Sequence, residues 1–284
     1  MLRPTRRRGI HDALHSVRYA ARASAAVAAQ PYEGLERAIE RVAEKGERVR
    51  RTWSYVPQGD AEVRLHALLG APWPCPVQRE FEEVWSRCVA RVRTRGSEVG
   101  RGAYNGWDDA DAGLARVAWC LVRHLRPAVV IETGVARGLT TSILLEGLEA
   151  NGDGRLWSVD VPPLIRDDLA NETGSAVAPD QRRRWTLLRG SSRRMLPGLV
   201  AGLDRAGVDL FLHDSMHTTR NVGFELAQVW PALAPGGVVL ADDIQLNRAF
   251  GAFAQHHREA EALVFEADDG RALFGCLRKP VRGD

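Results

Sequence analysis

Four short segments of this chain hold residues whose types and spacing suit ligand binding and proton or group transfer. The first is Glu132-Thr133-Gly134-Val135-Ala136-Arg137-Gly138. Glycine lets the backbone approach a ligand closely and take positive φ, and a helix starting after such a turn offers free N–H groups. Only Gly134 and Gly138 are present, so this is not the dinucleotide fingerprint GxGxxG. The acid Glu132 would repel a pyrophosphate and would suit a cationic amino-acid group. The plainer reading is an ordinary turn between strand and helix. The second segment is Asp160, which closes the run Leu156–Val161. An acid at the end of a second strand accepts hydrogen bonds from ribose hydroxyls; the plainer reading is a turn cap before Pro162-Pro163.

The third and fourth segments are His213-Asp214-Ser215-Met216-His217-Thr218 and Asp242-Asp243-Ile244-Gln245-Leu246-Asn247. Clustered carboxylates repel unless a cation joins them, and a hard divalent ion such as Mg²⁺ suits oxygen ligands. Asp214, Asp242 and Asp243 would supply them. Successive strand residues point to opposite faces, so Asp242 and Asp243 can both ligate only if their strand has already ended. The other arrangement left open has one aspartate capping a helix and the rest solvated or facing substrate. His217 has the residue type of a general base for a substrate hydroxyl, or of a helix-start histidine with a structural bond. His66, His124, His256 and His257 fall in helical stretches and read as structural or surface residues.

The elements that must position these residues follow from periodicity. Residues 11–100 read as helix throughout, with Leu35, Ala38, Ile39, Val42, Ala43, Gly46 and Val49 at one helical spacing and Val77, Phe81, Val84, Cys88, Val89 and Val92 at another. Pro57 and the stretch Ala71–Pro76 punctuate them. Leu114–Leu125 predicts a further helix. Strands and helices then alternate: strands over 128–133, 156–161, 184–189, 208–214 and 238–242, with helices over 139–148, 195–203, 221–233 and 248–258. The run Pro235-Gly236-Gly237 reads as a helix stop and turn. Two last strands, 262–267 and 272–277, are joined by Asp268-Asp269-Gly270, a hairpin turn. The expectation is an α/β fold: a doubly wound, mostly parallel, seven-stranded sheet with an antiparallel terminal hairpin and a helical N-terminal extension. The predicted division is 1–104 for a basic arm and helical cap, and 105–284 for the ligand-binding domain. In such a sheet ligands sit beyond the carboxyl ends of the strands, which is where all four segments fall.

Together these segments resemble the class I S-adenosylmethionine-dependent methyltransferases, over roughly residues 105–280. The resemblance implies a Rossmann-like fold in which Gly134 and Gly138 flank the methionine part of the cofactor and Glu132 lies near its amino group. Asp160 matches the family's ribose-binding acid, and Gly190-Ser191-Ser192 falls where the family contacts adenine. HDSMHT with ADDI resembles, more narrowly, the metal-dependent O-methyltransferases of small molecules, sugars and antibiotics. That subgroup implies Asp214, Asp242 and Asp243 as Mg²⁺ ligands and places Asp214 and His217 at the catalytic centre. An O-methyltransferase acting on a small-molecule hydroxyl is the implied activity. Three rivals are a cofactor-binding protein without turnover, a nicotinamide oxidoreductase, which the missing GxGxxG disfavours, and a nucleic-acid methyltransferase, which lacks its Asn/Asp-Pro-Pro-Tyr/Phe motif here. A metal-independent enzyme using His217 alone is a further alternative.

Bulk composition is compatible with this. The chain has 284 residues, 45% hydrophobic and 26% charged, enough for a sizeable core. A net charge of +3 makes no case for nucleic acid. Lysine occurs only at Lys45 and Lys279, read as the coding bias of a GC-rich bacterial genome. No apolar run spans a bilayer. Cys75, Cys88, Cys120 and Cys276 lack a CxxC pair, so they read as reduced, buried thiols of a cytoplasmic protein and not as metal ligands or a disulfide framework. Residues 1–30 carry Arg3, Arg6, Arg7, Arg8, Arg18 and Arg22 against the single acid Asp12. This is the composition of a transit peptide and equally of a basic arm leading into a helix; the second reading is preferred. The helical N-terminal region is expected to select substrate or to make a homodimer.

Overall fold

A computed structural model describes residues 30–49, 51–104, 106–161, 167–203 and 207–281. The predicted basic arm and Pro162-Pro163 lie outside the described residues. Three helices come first: α1 (Pro31–Val49), α2 (Ala61–Leu69) and α3 (Gln78–Arg93). Among the described residues the helices are separated by non-helical chain at 51–58 and by the proline-bearing stretch 71–77, at the punctuation expected from Pro57 and Ala71–Pro76, and residues 94–100, expected as helix, are not helical.

Helix α4 (Ala112–Leu125) begins on Asp111, whose side chain accepts from the Leu114 N–H. The alternating part then runs β1 (Val129–Thr133), α5 (Leu139–Asn151), β2 (Arg155–Asp160), α6 (Asp167–Glu172), β3 (Trp185–Arg189), α7 (Ser192–Gly202), β4 (Val208–His213), α8 (Thr219–Val229), β5 (Leu233–Ala241), α9 (Ala249–His256), β6 (Glu261–Glu266) and β7 (Leu273–Arg278). The strands form one sheet in the order β3-β2-β1-β4-β5-β7-β6. The first five are parallel, and β7 runs antiparallel to both β5 and β6. All five residues of β1 are buried, as expected for a central strand covered on both faces.

Two sequence readings need correction here. Pro235-Gly236-Gly237 is not a turn outside the strand. It lies inside β5, opposite a register shift between Val208 and Leu210, where a bulge tolerates the missing proline N–H and the positive φ of Gly236. Second, the apolar spacing in α1 does not mark its inner face. Leu35, Val42 and Val49 are 59%, 72% and 85% exposed, whereas Glu33 and Glu40 are buried. The acids Glu33, Glu40 and Glu47 recur every seventh residue and accept from Ser191 N, Thr218 Oγ1 and Thr219 N respectively. These donors sit at the starts of α7 and α8, where the helix dipole favours negative charge. Arg220 closes the contact through Glu36 and Glu40.

Helices α2 and α3 pack directly on the sheet domain. Ala61 and Leu65 share a core with Leu114, Leu121, Val130 and Leu240. Phe81, Val84 and Cys88 pack with Trp119 and Ile143. A second core on the other side of the sheet joins Ile131, Phe211 and Val239 to Val222, Leu226 and Phe250. No helix among the described residues is long and apolar enough to cross a membrane.

Candidate functional site

The parallel strands end in line, and their backbone hydrogen bonds continue one step past the sheet. Gly134 N–H donates to Val159, Asp214 N–H to Thr133, Asp242 N–H to His213, and Gly190 N–H to Asp160, at 2.8–2.9 Å. This stitching holds the ends of β1 through β5 as a single ledge. Gly134 has φ 85°, and a Cβ there would lie 1.8 Å from the Asp214 carbonyl oxygen. Only glycine lets the β1–α5 turn lie against the end of β4. Gly138 starts α5 with φ 80°.

Asp160 is half-buried at the end of β2. Its Oδ1 accepts from Val135 N–H at 3.1 Å, and Ala136 adds a second backbone donor. Burial pushes its carboxyl up, partly offset by those donors and by Arg37 and Arg189. Arg37 belongs to α1 and donates to the Val161 carbonyl at 2.9 Å. Next to it, Glu33 accepts from Ser191 N–H, and Arg194 lies 3.3 Å away. The N-terminal helix thus brings an acid and a base to the ledge beside Asp160, Gly190 and Ser191. Sequence reasoning missed both; their only signal was the heptad spacing of acids in α1.

Glu132 lies beneath the turn, enclosed, with its Oε2 accepting from Ser158 Oγ at 2.6 Å and Thr141 Oγ1 at 2.8 Å. Burial pushes its carboxyl up to about 7, against the pull of those hydroxyls. Arg137 also turns inward. It pairs with Asp109 and Glu172 at 2.5 Å and donates to the Glu98 and Ala103 carbonyls, tying residues 98–109 to the glycine turn.

At the other end of the ledge, β5 stops at Ala241 and Asp243 takes φ 50°. The strand alternation is therefore already broken at Asp242 and Asp243, and both turn towards the end of β4. Ligand atoms of Asp214, His217 and Asp242 all lie within 4.8 Å of one another. His217 Nε2 is 3.9 Å from Asp214 Oδ1 and 3.6 Å from Asp243 Oδ2. Burial first, then the charge of Asp243 on Asp214 and of Asp214 on Asp242, raises the carboxyls of Asp214 and Asp242 well above the usual range. Burial likewise lowers His217 to about 4, so its imidazole is neutral at neutral pH. Asp242 Oδ1 is buried and has no hydrogen-bond partner. Trp107 reaches over from the preceding loop, its ring 6.3 Å from that of His217.

Behind this cluster stands Glu225, unremarked in the sequence because it sits in mid-helix among apolar residues. It is fully buried and takes His213 Nδ1 at 2.6 Å, Thr133 Oγ1 at 2.6 Å, Ser215 Oγ at 2.7 Å and Asn221 Nδ2 at 3.0 Å. Burial alone would raise its carboxyl; His213, with the surrounding hydroxyls, holds it near 2. Glu225 fixes the loop that carries Asp214 and His217. His66 and His124 are not at this ledge, and His257 lies against Trp230 and Phe253.

Comparison with known proteins bears on this arrangement. Residues 131–244, from β1 to the segment after β5, match the family model described as a methyltransferase domain. The matched span holds every expected cofactor and metal residue. No curated protein matches the sequence. Among solved structures, an O-methyltransferase from Bacillus cereus in complex with SAH is 15% identical, with 69% of this chain and 91% of that one covered and a TM-score of 0.51. The O-methyltransferase TomG from Streptomyces achromogenes, involved in tomaymycin synthesis and solved with SAM, is 16% identical, with 69% and 90% covered and a TM-score of 0.50. Cofactor-bound Rv0187 from MTB is 16% identical, with 81% and 100% covered and a TM-score of 0.52. At these identities the likeness establishes the fold alone, the one this chain shares with those solved structures.

Proposed function

We propose that this chain is an S-adenosylmethionine-dependent O-methyltransferase acting on a small-molecule hydroxyl, of a sugar, a phenol or a related natural product, with the help of a divalent cation. The observation that carries the reading is one ledge with a ribose-type acid at one end and an acid–histidine cluster at the other, inside a matched methyltransferase domain.

S-adenosylmethionine supplies an electrophilic methyl group on its sulfonium. On this chain Asp160 is placed to accept from the ribose hydroxyls, Gly134 and Gly138 keep the turn open for the methionine part, and Gly190 and Ser191 border the adenine side. Glu132 supports the turn from below, near where the cofactor's amino group would lie. The donor set of the cluster fits a divalent cation: Asp214 and Asp242 repel one another unless protonated or joined by positive charge, and Asp242 Oδ1 has no other partner. Asp214, Asp242 and Asp243 would hold it, and a bound cation lowers the pKa of an acceptor hydroxyl. His217, already neutral, stands beside the carboxylates to take the proton. Trp107 flanks the same place and gives an acceptor ring a flat surface to lie against.

Transfer of labelled methyl from S-adenosylmethionine to a panel of sugar and phenolic acceptors tests this, with EDTA and with Asp214→Ala. The expected result is product that falls at least tenfold in both cases. Full activity in EDTA and in Asp214→Ala would leave a metal-independent enzyme using His217. No product with any acceptor, despite cofactor binding, would favour a binding protein without turnover.

A further inference from the structure

Away from the ledge, the fold assembles four residues that the sequence scatters. His66 lies on α2, Cys75 in the proline-bearing stretch after it, and Cys120 and His124 one turn apart on α4. Residues four apart share a helix face, so Cys120 and His124 point the same way. One ring nitrogen of His66 and the sulfurs of Cys75 and Cys120 all lie within 4.8 Å of one another. The two sulfurs are 3.1 Å apart, and His124 Nε2 is 3.5 Å from Cys75 Sγ. The rings of His66 and His124 meet edge to face at 5.5 Å.

The histidine geometry is specific. His66 Nδ1 is 2.7 Å from the Glu62 carbonyl oxygen and must donate to it. That fixes the tautomer and leaves Nε2 with a lone pair. His66 is 1% exposed, and its Nε2 is buried without any partner. An unpaired acceptor in the interior is costly, so this atom is poised for a ligand. The bond from the other ring nitrogen to a backbone carbonyl is how protein structures orient metal-binding imidazoles.

We propose that His66, Cys75, Cys120 and His124 form a structural zinc site that clasps the N-terminal helices to the methyltransferase domain. Two thiolates and two imidazoles are a soft, four-ligand set suited to tetrahedral Zn²⁺ and unsuited to Mg²⁺. Zinc–ligand bonds of about 2.0–2.3 Å give tetrahedral edges of roughly 3.3–3.8 Å. The two sulfurs must part slightly from 3.1 Å, His124 Nε2 is already at such an edge from Cys75 Sγ, and the His124 ring must turn towards His66 and Cys120 to complete the set. Binding displaces one proton from each thiol. Burial holds the Cys120 thiol in its neutral form otherwise, with Cys75 as its hydrogen-bond partner. The site differs in chemistry from the carboxylate cluster and can be read separately from it, because only this one contains sulfur.

The test is titration of the metal-stripped, reduced full-length chain with Co²⁺. One equivalent is expected to produce the visible d–d absorption and thiolate charge-transfer band of a tetrahedral cobalt–thiolate site, both removed by Zn²⁺. The band should persist in Asp214→Asn and vanish in Cys120→Ser and Cys75→Ser. Wild-type spectra alone are decisive if a cysteine variant folds poorly. Absence of a thiolate band in the wild type would overturn the proposal. So would a band surviving Cys120→Ser, or a purified chain lighter by two hydrogens through a Cys75–Cys120 disulfide.

Discussion

At the scale of single residues, neighbours of like type are set to different tasks by what surrounds them. His213 is locked to Glu225, while His217, edge-on to it at 5.5 Å, faces carboxylates and Trp107. Among the acids, Glu225 is held ionised near 2, whereas Glu132 is pushed up to about 7. The sign of the Glu132 effect on stability is clear. Between its ordinary value of 4.5 and about 7, the folded state holds a proton that the unfolded state has lost. Stability therefore falls as pH rises through that window, by about 3 kcal/mol from this one group. Glu132→Gln should flatten the stability profile across the window by its own share, leaving the slopes of the other shifted groups, among them Asp214 and Asp242, raised, and His217, lowered. An unchanged slope in denaturant titrations at several pH values would contradict the assignment. Asp160, Asp214, Asp242 and His217 could be picked out in the sequence because they sit at predicted strand ends. Glu225, Glu33 and Arg37 could not: their partners are distant in the chain, and helical periodicity says nothing about which distant donors an acid will meet.

At the scale of elements, the glycine turn and the first helix give the clearest tests. Gly134→Ala would set a methyl group against the Asp214 carbonyl and force alanine into positive φ. The combined cost is about 2–5 kcal/mol, and cofactor affinity should fall with it. A variant as stable as wild type, with unchanged S-adenosylhomocysteine binding, would mean that the β1–α5 turn does not pack as described. Helix α1 docks through charge. Replacing Glu33, Glu40 and Glu47 by glutamine should weaken its attachment by about 0.5–1 kcal/mol each, measured as faster amide hydrogen exchange over residues 31–49. Exchange unaffected by the triple substitution would sink this account of α1. The same helix shows where pattern reading fails. Its apolar residues at 35, 42 and 49 correctly gave a helix, but the inward stripe is the acidic one, because two helix starts supply donors that no apolar face could satisfy. The bulge in β5 was hidden for a related reason: Pro235-Gly236-Gly237 is turn chemistry wherever the partner strand is unknown.

For the whole molecule, alternating strands and helices were enough to give the seven-stranded sheet and its antiparallel edge. Long apolar runs read the same way in any doubly wound protein, and the handedness of the crossovers leaves few ways to arrange them. The packing of α2 and α3 onto that sheet was beyond the sequence, as was the meeting of Cys75 with Cys120, since both depend on contacts between distant segments. On the proposed function, the ledge of strand ends binds S-adenosylmethionine and uses Asp160 to do so. Calorimetric titration with S-adenosylhomocysteine addresses it most directly, in wild type and in Asp160→Asn and Asp160→Ala, with folding of each checked by thermal melting. The expected result is one site per chain in the wild type and at least tenfold weaker binding in the folded Asp160 variants. No binding by the wild type, or equal binding by all three, would contradict it.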